Sequence, residues 1–328
     1  MEILVVGEAD IRRSVSIEEA ISAVEDGFTR LAAGDVNLPP VLSLDMPEIK
    51  GEVHVKGAHI GGAASLAIKV ATGFYENPLI GLPSGSGMML VFSARTGFPE
   101  AILFDNAYLT DLRTAAAGAI AAKYLAKKKL STIGVIGAGA QGRFQVMALA
   151  KVREFQKVLV YDLDSGRLEQ YVKEMPDIVG TDCVAAERVQ DVVTESDLLV
   201  TATPSTEPYV RAGWLHAGLH VTAMGADAPY KQELDSEALA RADLLVCDLK
   251  IQCFERGELH HGLEAGTIAD KGRIVELGDL TSGSHPGRTD DSQITICDLT
   301  GVGVQDAAIA TLAYEKALQQ GRGSRLQL

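Results

Sequence analysis

Residues 132–143, "TIGVIGAGAQGR", constrain this chain more than any other stretch. A β-branched apolar run leads directly into Gly137, Gly139 and Gly142, spaced G-x-G-x-x-G. The spacing alone is a weak signal; the strand before it and the helix after it give it meaning. The first glycine makes the tight turn, the second lets the backbone approach a pyrophosphate, and the third lets helix and strand pack closely. Phosphates then sit on the helix N-terminus, where N–H groups and the helix dipole favour an anion. The next apolar run, "KVLVYDLD", delivers Asp162, 25 residues after Gly137 (162 − 137). A carboxylate there hydrogen-bonds both ribose hydroxyls and repels a 2′-phosphate, so NAD is expected over NADP. Asp164 reads instead as a helix cap.

The pattern around this motif predicts two textures. After Leu130, "STIGVIGAG", "KVLVYDLD", "SDLLVTATP", "GLHVTAMGA" and "ADLLVCDL" alternate with helical or looped stretches. Alternation of this kind predicts a doubly wound, parallel α/β sheet. From Leu38 to Asp105, "EVHVKGAHI", "SLAIKVATGFY", "GMMLVFSA" and "PEAILFD" are broken by Gly, Pro and Asn clusters, which predicts an antiparallel sheet. Ser16 and Glu19 form a capping box ahead of a helix whose Ile17, Ala20, Ile21, Val24 and Phe28 share one face. A long Ala-rich helix, "TDLRTAAAGAIAAKYLAKKKL", and a final amphipathic one, "GVGVQDAAIATLAYEKALQQG", complete the pattern.

Bulk numbers exclude some functions. A chain of 328 residues, 47% hydrophobic and 23% charged, has material for one large or two ordinary globular domains. A net charge of −14 disfavours nucleic acid and anionic membrane surfaces as partners. The start, "MEILVVGEADIRRSVS", is too acidic and its apolar run too short for a signal peptide. No apolar stretch is long enough to span a bilayer. Cys183, Cys247, Cys253 and Cys297 lack C-x-x-C spacing and read as reduced thiols in a cytoplasmic protein. No metal site is expected: His260 and His261 are adjacent and should not converge on one ion. P-loop and serine-hydrolase motifs are absent.

A second stretch carries chemistry. In "VTAMGADAPYKQELD" a strand end delivers Asp227 between two small residues. Lys231 and Glu233 follow and read as a structural or cofactor-edge pair. A carboxylate beside Cα of an amino acid can take the ammonium's proton and then stabilise the iminium left when hydride departs.

These segments resemble the ornithine cyclodeaminase/mu-crystallin family over nearly the whole chain. The marks, in order, are "LRTAAAGAIAAKYLA", "GAGAQ", "TATPSTEP", "HVTAMGADAPYKQELD", "ELGDLTSG" and "DLTGVGVQDAAIA". Within the family, "GLPSGSGMMLVF" and "DNAYLTDLRTAAAGA" look most like the ectoine-utilisation branch named cyclodeaminase. The resemblance implies a Rossmann-type NAD-binding domain, residues 119–304, inserted into an α+β substrate-binding and dimerisation domain, residues 1–118 plus 305–328. It implies a homodimer acting on a small amino or imino acid. It implies Asp227 as the catalytic residue, and Lys69 and Arg113 as cations on the substrate carboxylate. Burying Lys69 in an apolar strand is costly without such a purpose. Ser84, Thr114, Ala138, Ala140, Gln141, Asp162, Thr203 and Met224 match cofactor-contacting positions, beside Gly137 and Gly139. Leu299 and Thr300 match positions lining nicotinamide and substrate. The chain departs at "NLPPVLSL", where Val41 replaces an arginine often found in the family, and Lys56 is the candidate stand-in. Three readings stay open: a cyclodeaminase, an imino-acid reductase or amino-acid dehydrogenase using NAD(P)H, and a dinucleotide-dependent binding protein like mu-crystallin.

Overall fold

The computed structural model describes residues 2–327. The chain divides into two compact units, Met1–Arg113 with Val302–Leu328, and Thr114–Gly301. The family resemblance places these junctions at 118/119 and 304/305.

The first unit holds strands β1 (Glu2–Gly7), β2 (Val36–Asn37), β3 (Leu42–Met46), β4 (Gly51–Ile60), β5 (Ser65–Phe74), β6 (Gly85–Ser93) and β7 (Pro99–Phe104). Its sheet runs from a C-terminal strand, Ser324–Gln327, through β1, β7, β6, β5 and β4 to β2, with β3 also on β4. The β4–β7 part is antiparallel, as its turn-broken runs imply. The sequence reading did not include the two edge additions. "EILVVG" is a strand lying parallel to β7, and Ser324–Gln327 pairs antiparallel with it. Neither has a short turn linking it to its partner, so no local signal marks the pairing.

Side chains alternate faces along a strand. On β5 the buried set is Ser65, Ala67 and Lys69, with Lys56 directly opposite Lys69 on β4. The final helix, Gly303–Gln319, is buried from Gly303 through Ala310. Its first residue must be glycine, because a Cβ there would lie 2.5 Å from Gly57 O. The predicted capping box is present: Glu19 N–H donates to Ser16 Oγ and Ser16 N–H to Glu19 Oε2. Ala20, Ile21, Val24 and Phe28 of that helix are buried as its periodicity requires.

The second unit holds β8 (Thr132–Ile136), β9 (Lys157–Tyr161), β10 (Asp182–Ala185), β11 (Leu198–Thr201), β12 (His220–Ala223), β13 (Leu244–Cys247), β14 (Ile274–Glu276) and β15 (Thr295–Asp298). The order is β10-β9-β8-β11-β12-β15-β13-β14, parallel throughout. Strands β8, β11, β12, β13 and β15 are buried at every position, as expected where helices cover both faces. Val193, Leu199, Leu215, Val221, Leu245 and Ile296 form part of one apolar core. The chain winds outward in opposite directions from β8 and β11, which makes the carboxyl ends of these strands the place where such sheets bind ligands. The fold is thus α/β, with a Rossmann-type doubly wound sheet accompanied by an α+β unit built from both chain ends. Among the described residues no helix is long and apolar enough to cross a membrane. All four cysteines are free and buried.

Candidate active site

The turn after β8 is built for close approach. Gly137 has φ +107°, and a Cβ on it would lie 2.5 Å from Ala202 O. A Cβ on Gly142 would lie 1.9 Å from Gly137 O, so helix and strand touch through backbone. At Gly139 the opposite holds: the Cβ direction is open space. Gly139 is the N-cap of the helix Ala140–Leu149 and, lacking a side chain, provides no side-chain cap. An open glycine and an uncapped helix N-terminus at the switch point suit the pyrophosphate of a dinucleotide.

Asp162, one residue past β9, is fixed by backbone. Its Oδ2 accepts the Ala138 N–H at 2.7 Å and its Oδ1 accepts the Asp164 N–H at 2.8 Å. Asp164 caps the next helix by accepting the Arg167 N–H. Arg167, half-exposed, reaches to 3.9 Å from Asp162 Oδ2. The anchored carboxylate opposes a 2′-phosphate, and the guanidinium would welcome one. NAD(H) is therefore expected to bind better than NADP(H), and Asp162→Ser, which leaves Arg167 in place, is expected to narrow the gap. Fluorescence titration of both cofactors checks this; equal affinities in the unmodified protein would refute it.

Other predicted cofactor positions gather at the same strand ends. The Gln145 amide donates to Thr114 O at 3.1 Å and approaches Gln141 Oε1 at 3.5 Å. Thr203 follows β11. Met224 N–H donates to Thr201 O, and Leu299 N–H to Ala223 O, so both extend the ladder past its last strand residues. Ser84 lies in the first unit, in the exposed loop before β6, where its carbonyl accepts the Phe74 N–H.

Asp227 stands four residues beyond β12, about 39% exposed. Its Oδ1 accepts from Lys231 Nζ at 2.8 Å, and Lys231 is itself buried. Lys231 and Glu233 do not pair with each other: Glu233 is held by Thr201, Thr203, Tyr209 and Gly225. Thr300 is buried, its hydroxyl donating to Asp248 Oδ1 at 3.1 Å and accepting from Gln252 Nε2 at 2.8 Å.

In the first unit the predicted cations converge. Lys69 on β5 and Arg113 on the helix Tyr108–Leu125 both reach Asp306 Oδ1 from the final helix, at 3.1 Å and 2.9 Å. Lys69 is 2% exposed, Arg113 5% and Lys56 8%. Burial, then the Arg113 guanidinium, pull the Lys69 ammonium down to about 7 against the attraction of Asp306. Burial also opposes ionisation of Asp306, yet Arg113, Lys69 and Lys56 together hold its carboxyl below the usual range. Asp306 thus lies in the electrostatic reach of Lys69, Arg113 and Lys56, with the buried Asp105 in reach of Lys69 and Asp306 as well. Only Oδ1 of Asp306 is engaged; its buried Oδ2 has no partner. Val41 lies just before β3, whereas Lys56 sits opposite Lys69 in register.

The sequence reading missed Asp306, and it did not see what Glu233 does. One further proximity is not visible from sequence spacing. His260, His261 and Glu264 bring ligand atoms within 4.8 Å of one another, because Glu264 lies one helical turn on and the rings sit edge to face. His261 Nε2 already bonds Lys231 O at 2.8 Å.

The chain matches the model of the ornithine cyclodeaminase/mu-crystallin family over residues 1–321. It is 46% identical to an uncharacterized cyclodeaminase of Sinorhizobium fredii, over 99% of this chain and 98% of that one. It is 38% identical to an alanine dehydrogenase of Archaeoglobus fulgidus, over 100% and 99%. It superposes on the Delta(1)-pyrroline-2-carboxylate reductase of Thermococcus litoralis, solved with NADH and L-proline, at TM-score 0.93 and 32% identity, covering 98% and 99%. The glycine-built turn, the parallel sheet and these matches over the full length agree: the chain belongs to the ornithine cyclodeaminase/mu-crystallin family.

Proposed function

We propose that this protein is an NAD-dependent enzyme acting at Cα of a small α-amino or imino acid, in the manner of a cyclodeaminase. The observation that carries the reading is the buried convergence of Lys69 and Arg113 on Asp306, two cations of the kind that hold a substrate carboxylate.

NAD, held by the Gly137–Gln141 turn and Asp162, supplies the two-electron acceptor when bound. Lys69 and Arg113 hold the substrate carboxylate and so fix which face Cα presents. Asp227 takes the proton from the substrate ammonium, which frees the nitrogen lone pair to expel hydride from Cα. Once it has released that proton to solvent, the carboxylate faces the iminium and stabilises it. In cyclodeamination the side-chain amine adds to that carbon, ammonia leaves, and hydride returns to the cyclic imine, so no net NADH accumulates. If water adds instead, ammonia and NADH appear together, as in a dehydrogenase.

The second reading, a dehydrogenase or imino-acid reductase, is favoured by the names of two relatives, an alanine dehydrogenase and a pyrroline-carboxylate reductase. A place in ectoine utilisation rests on "GLPSGSGMMLVF" and "DNAYLTDLRTAAAGA" alone, and is why short diamino acids head the panel that tests the proposal. The protein is mixed with amino acids and NAD⁺, or imino acids and NADH, and both ammonia and NADH are followed. Ammonia without net NADH is the expected result. A net change in NADH supports the second reading. No turnover with any member, despite NADH binding, would overturn both and leave a dinucleotide-dependent binding protein.

A further inference from the structure

Glu233 is an unusual residue to bury. It is 0% exposed, and among the described residues no cation pairs with it. Five donors converge on its carboxylate instead. Oε2 accepts from Thr201 Oγ1 at 2.7 Å and from Gly225 N–H at 2.8 Å. Oε1 accepts from Thr203 N–H at 2.7 Å, Thr203 Oγ1 at 2.7 Å and Tyr209 OH at 2.6 Å. Its own backbone is pinned as well: Glu258 Oε1 accepts the Glu233 N–H, and the Glu233 carbonyl accepts from Tyr209 and Val210. Five donors leave no acceptor for a sixth proton on the carboxyl itself, so this geometry suits the ionised form. Burial pushes Glu233 upward, and the Tyr209, Thr201 and Thr203 donors oppose that. Burial and the neighbouring carboxylates also push Glu258 and Asp298 up.

The donors come from two loops. Thr201 ends β11 and Thr203 follows it; Gly225 follows β12 and stands two residues before Asp227. The fit is close: a Cβ on Gly225 would lie 2.1 Å from Thr203 O and 2.6 Å from the Glu233 carboxyl carbon. A tie needed only for stability would be met by neutral groups, without the cost of burying a charge.

We infer that Glu233 is a positioning residue, one carboxylate that locks the Thr203 and Gly225–Asp227 loops together at the carboxyl ends of β11 and β12. It thereby sets both cofactor affinity and the placement of Asp227. The inference rests on the functional reading above, which gives Thr203 and Asp227 their roles. It assigns Glu233 no contact with substrate.

The test uses Glu233→Gln, which keeps the shape, replaces one acceptor by an NH₂ donor and removes the charge. Ser196→Ala serves as the structural control, since it removes a buried hydrogen bond, Ser196 Oγ to Val192 O, that does not involve Glu233 or its donors. Circular dichroism confirms folding, NADH affinity is read by fluorescence well below Tm, and kcat and KM are measured with the active panel substrate. Glu233→Gln is expected to weaken NADH and lower kcat by about tenfold or more each, the scale of a misplaced catalytic loop. KM for the amino acid stays within about twofold, because Lys69 and Arg113 hold it. Ser196→Ala loses stability but keeps NADH affinity and kcat. If Glu233→Gln fails to fold, Tyr209→Phe, which removes one donor from Oε1, is expected to shift NADH affinity and kcat in the same direction with KM unmoved. A folded Glu233→Gln, or Tyr209→Phe in its place, with unchanged NADH affinity and kcat would overturn the inference alone. Unmodified protein that binds no NADH would overturn the functional reading, and this inference with it.

Discussion

Asp227→Asn is expected to lower kcat by roughly a hundredfold or more, the usual effect of losing a general base. Asparagine keeps the size and one acceptor oxygen but cannot take a proton. The partner Lys231 ammonium is buried and loses its carboxylate, so a stability loss of about 1 kcal/mol is expected alongside. NADH affinity should hold, because the lost function belongs to the transition state. If Asp227 served only to satisfy Lys231, the pattern would reverse: Tm would fall while kcat survived. Measuring kcat, NADH affinity and Tm on one preparation separates the cases. Near-normal kcat would remove Asp227 from the mechanism and favour the binding-protein reading.

Asp306→Asn is expected to show the largest stability effect. Asp306 is 1% exposed between Lys69 and Arg113. Removing one member of a buried ion pair costs about 3–5 kcal/mol, because charge is left without a partner. Lys69 moderates the loss, because it already sits near 7 and can shed its proton. The sign follows from linkage. A lysine lowered on folding binds fewer protons in the native state than in the unfolded state between about 7 and its ordinary value of 10.5. Native stability therefore gains from this group as pH rises through that window, and is burdened by it below. The Asp306→Asn penalty should accordingly be greater at pH 6 than at pH 9. Urea unfolding at both pH values checks this. Equal stability to the unmodified protein at pH 6 would show that Asp306 does not balance these cations.

The sequence reveals local features well and distant ones poorly. The turn at Gly137–Gly142 and the acid at Asp162 were legible because spacing, strand and helix lie within thirty residues. The parallel sheet was legible because each strand is buried on both faces and so reads as a continuous apolar run. Asp306 was not legible: it meets Arg113 across 193 residues of chain, and within the final helix it looks like any charged position. Sequence alone reads Glu233 with Lys231 as a structural or cofactor-edge pair, because the two lie close in sequence. Their side chains diverge, one to Asp227 and one into a ring of hydroxyls and amides. The edge strand "EILVVG" was visible as an apolar run, but its parallel partner β7 begins more than ninety residues later. Lys69 and Arg113 were found only through the family resemblance, and the structure supplies the physical reason for them: a buried anion that needs both.

The central claim is hydride transfer at Cα, and an isotope tests it most directly. The protein is given NAD⁺ and the active amino acid carrying deuterium at Cα, and the label is traced by mass spectrometry. Transfer as hydride keeps the deuterium out of solvent: it appears on the nicotinamide of NADH in a dehydrogenase, or back at Cα of the cyclic product in a cyclodeaminase. Deuterium washed into water would mean that Cα loses a proton instead, and would contradict the account.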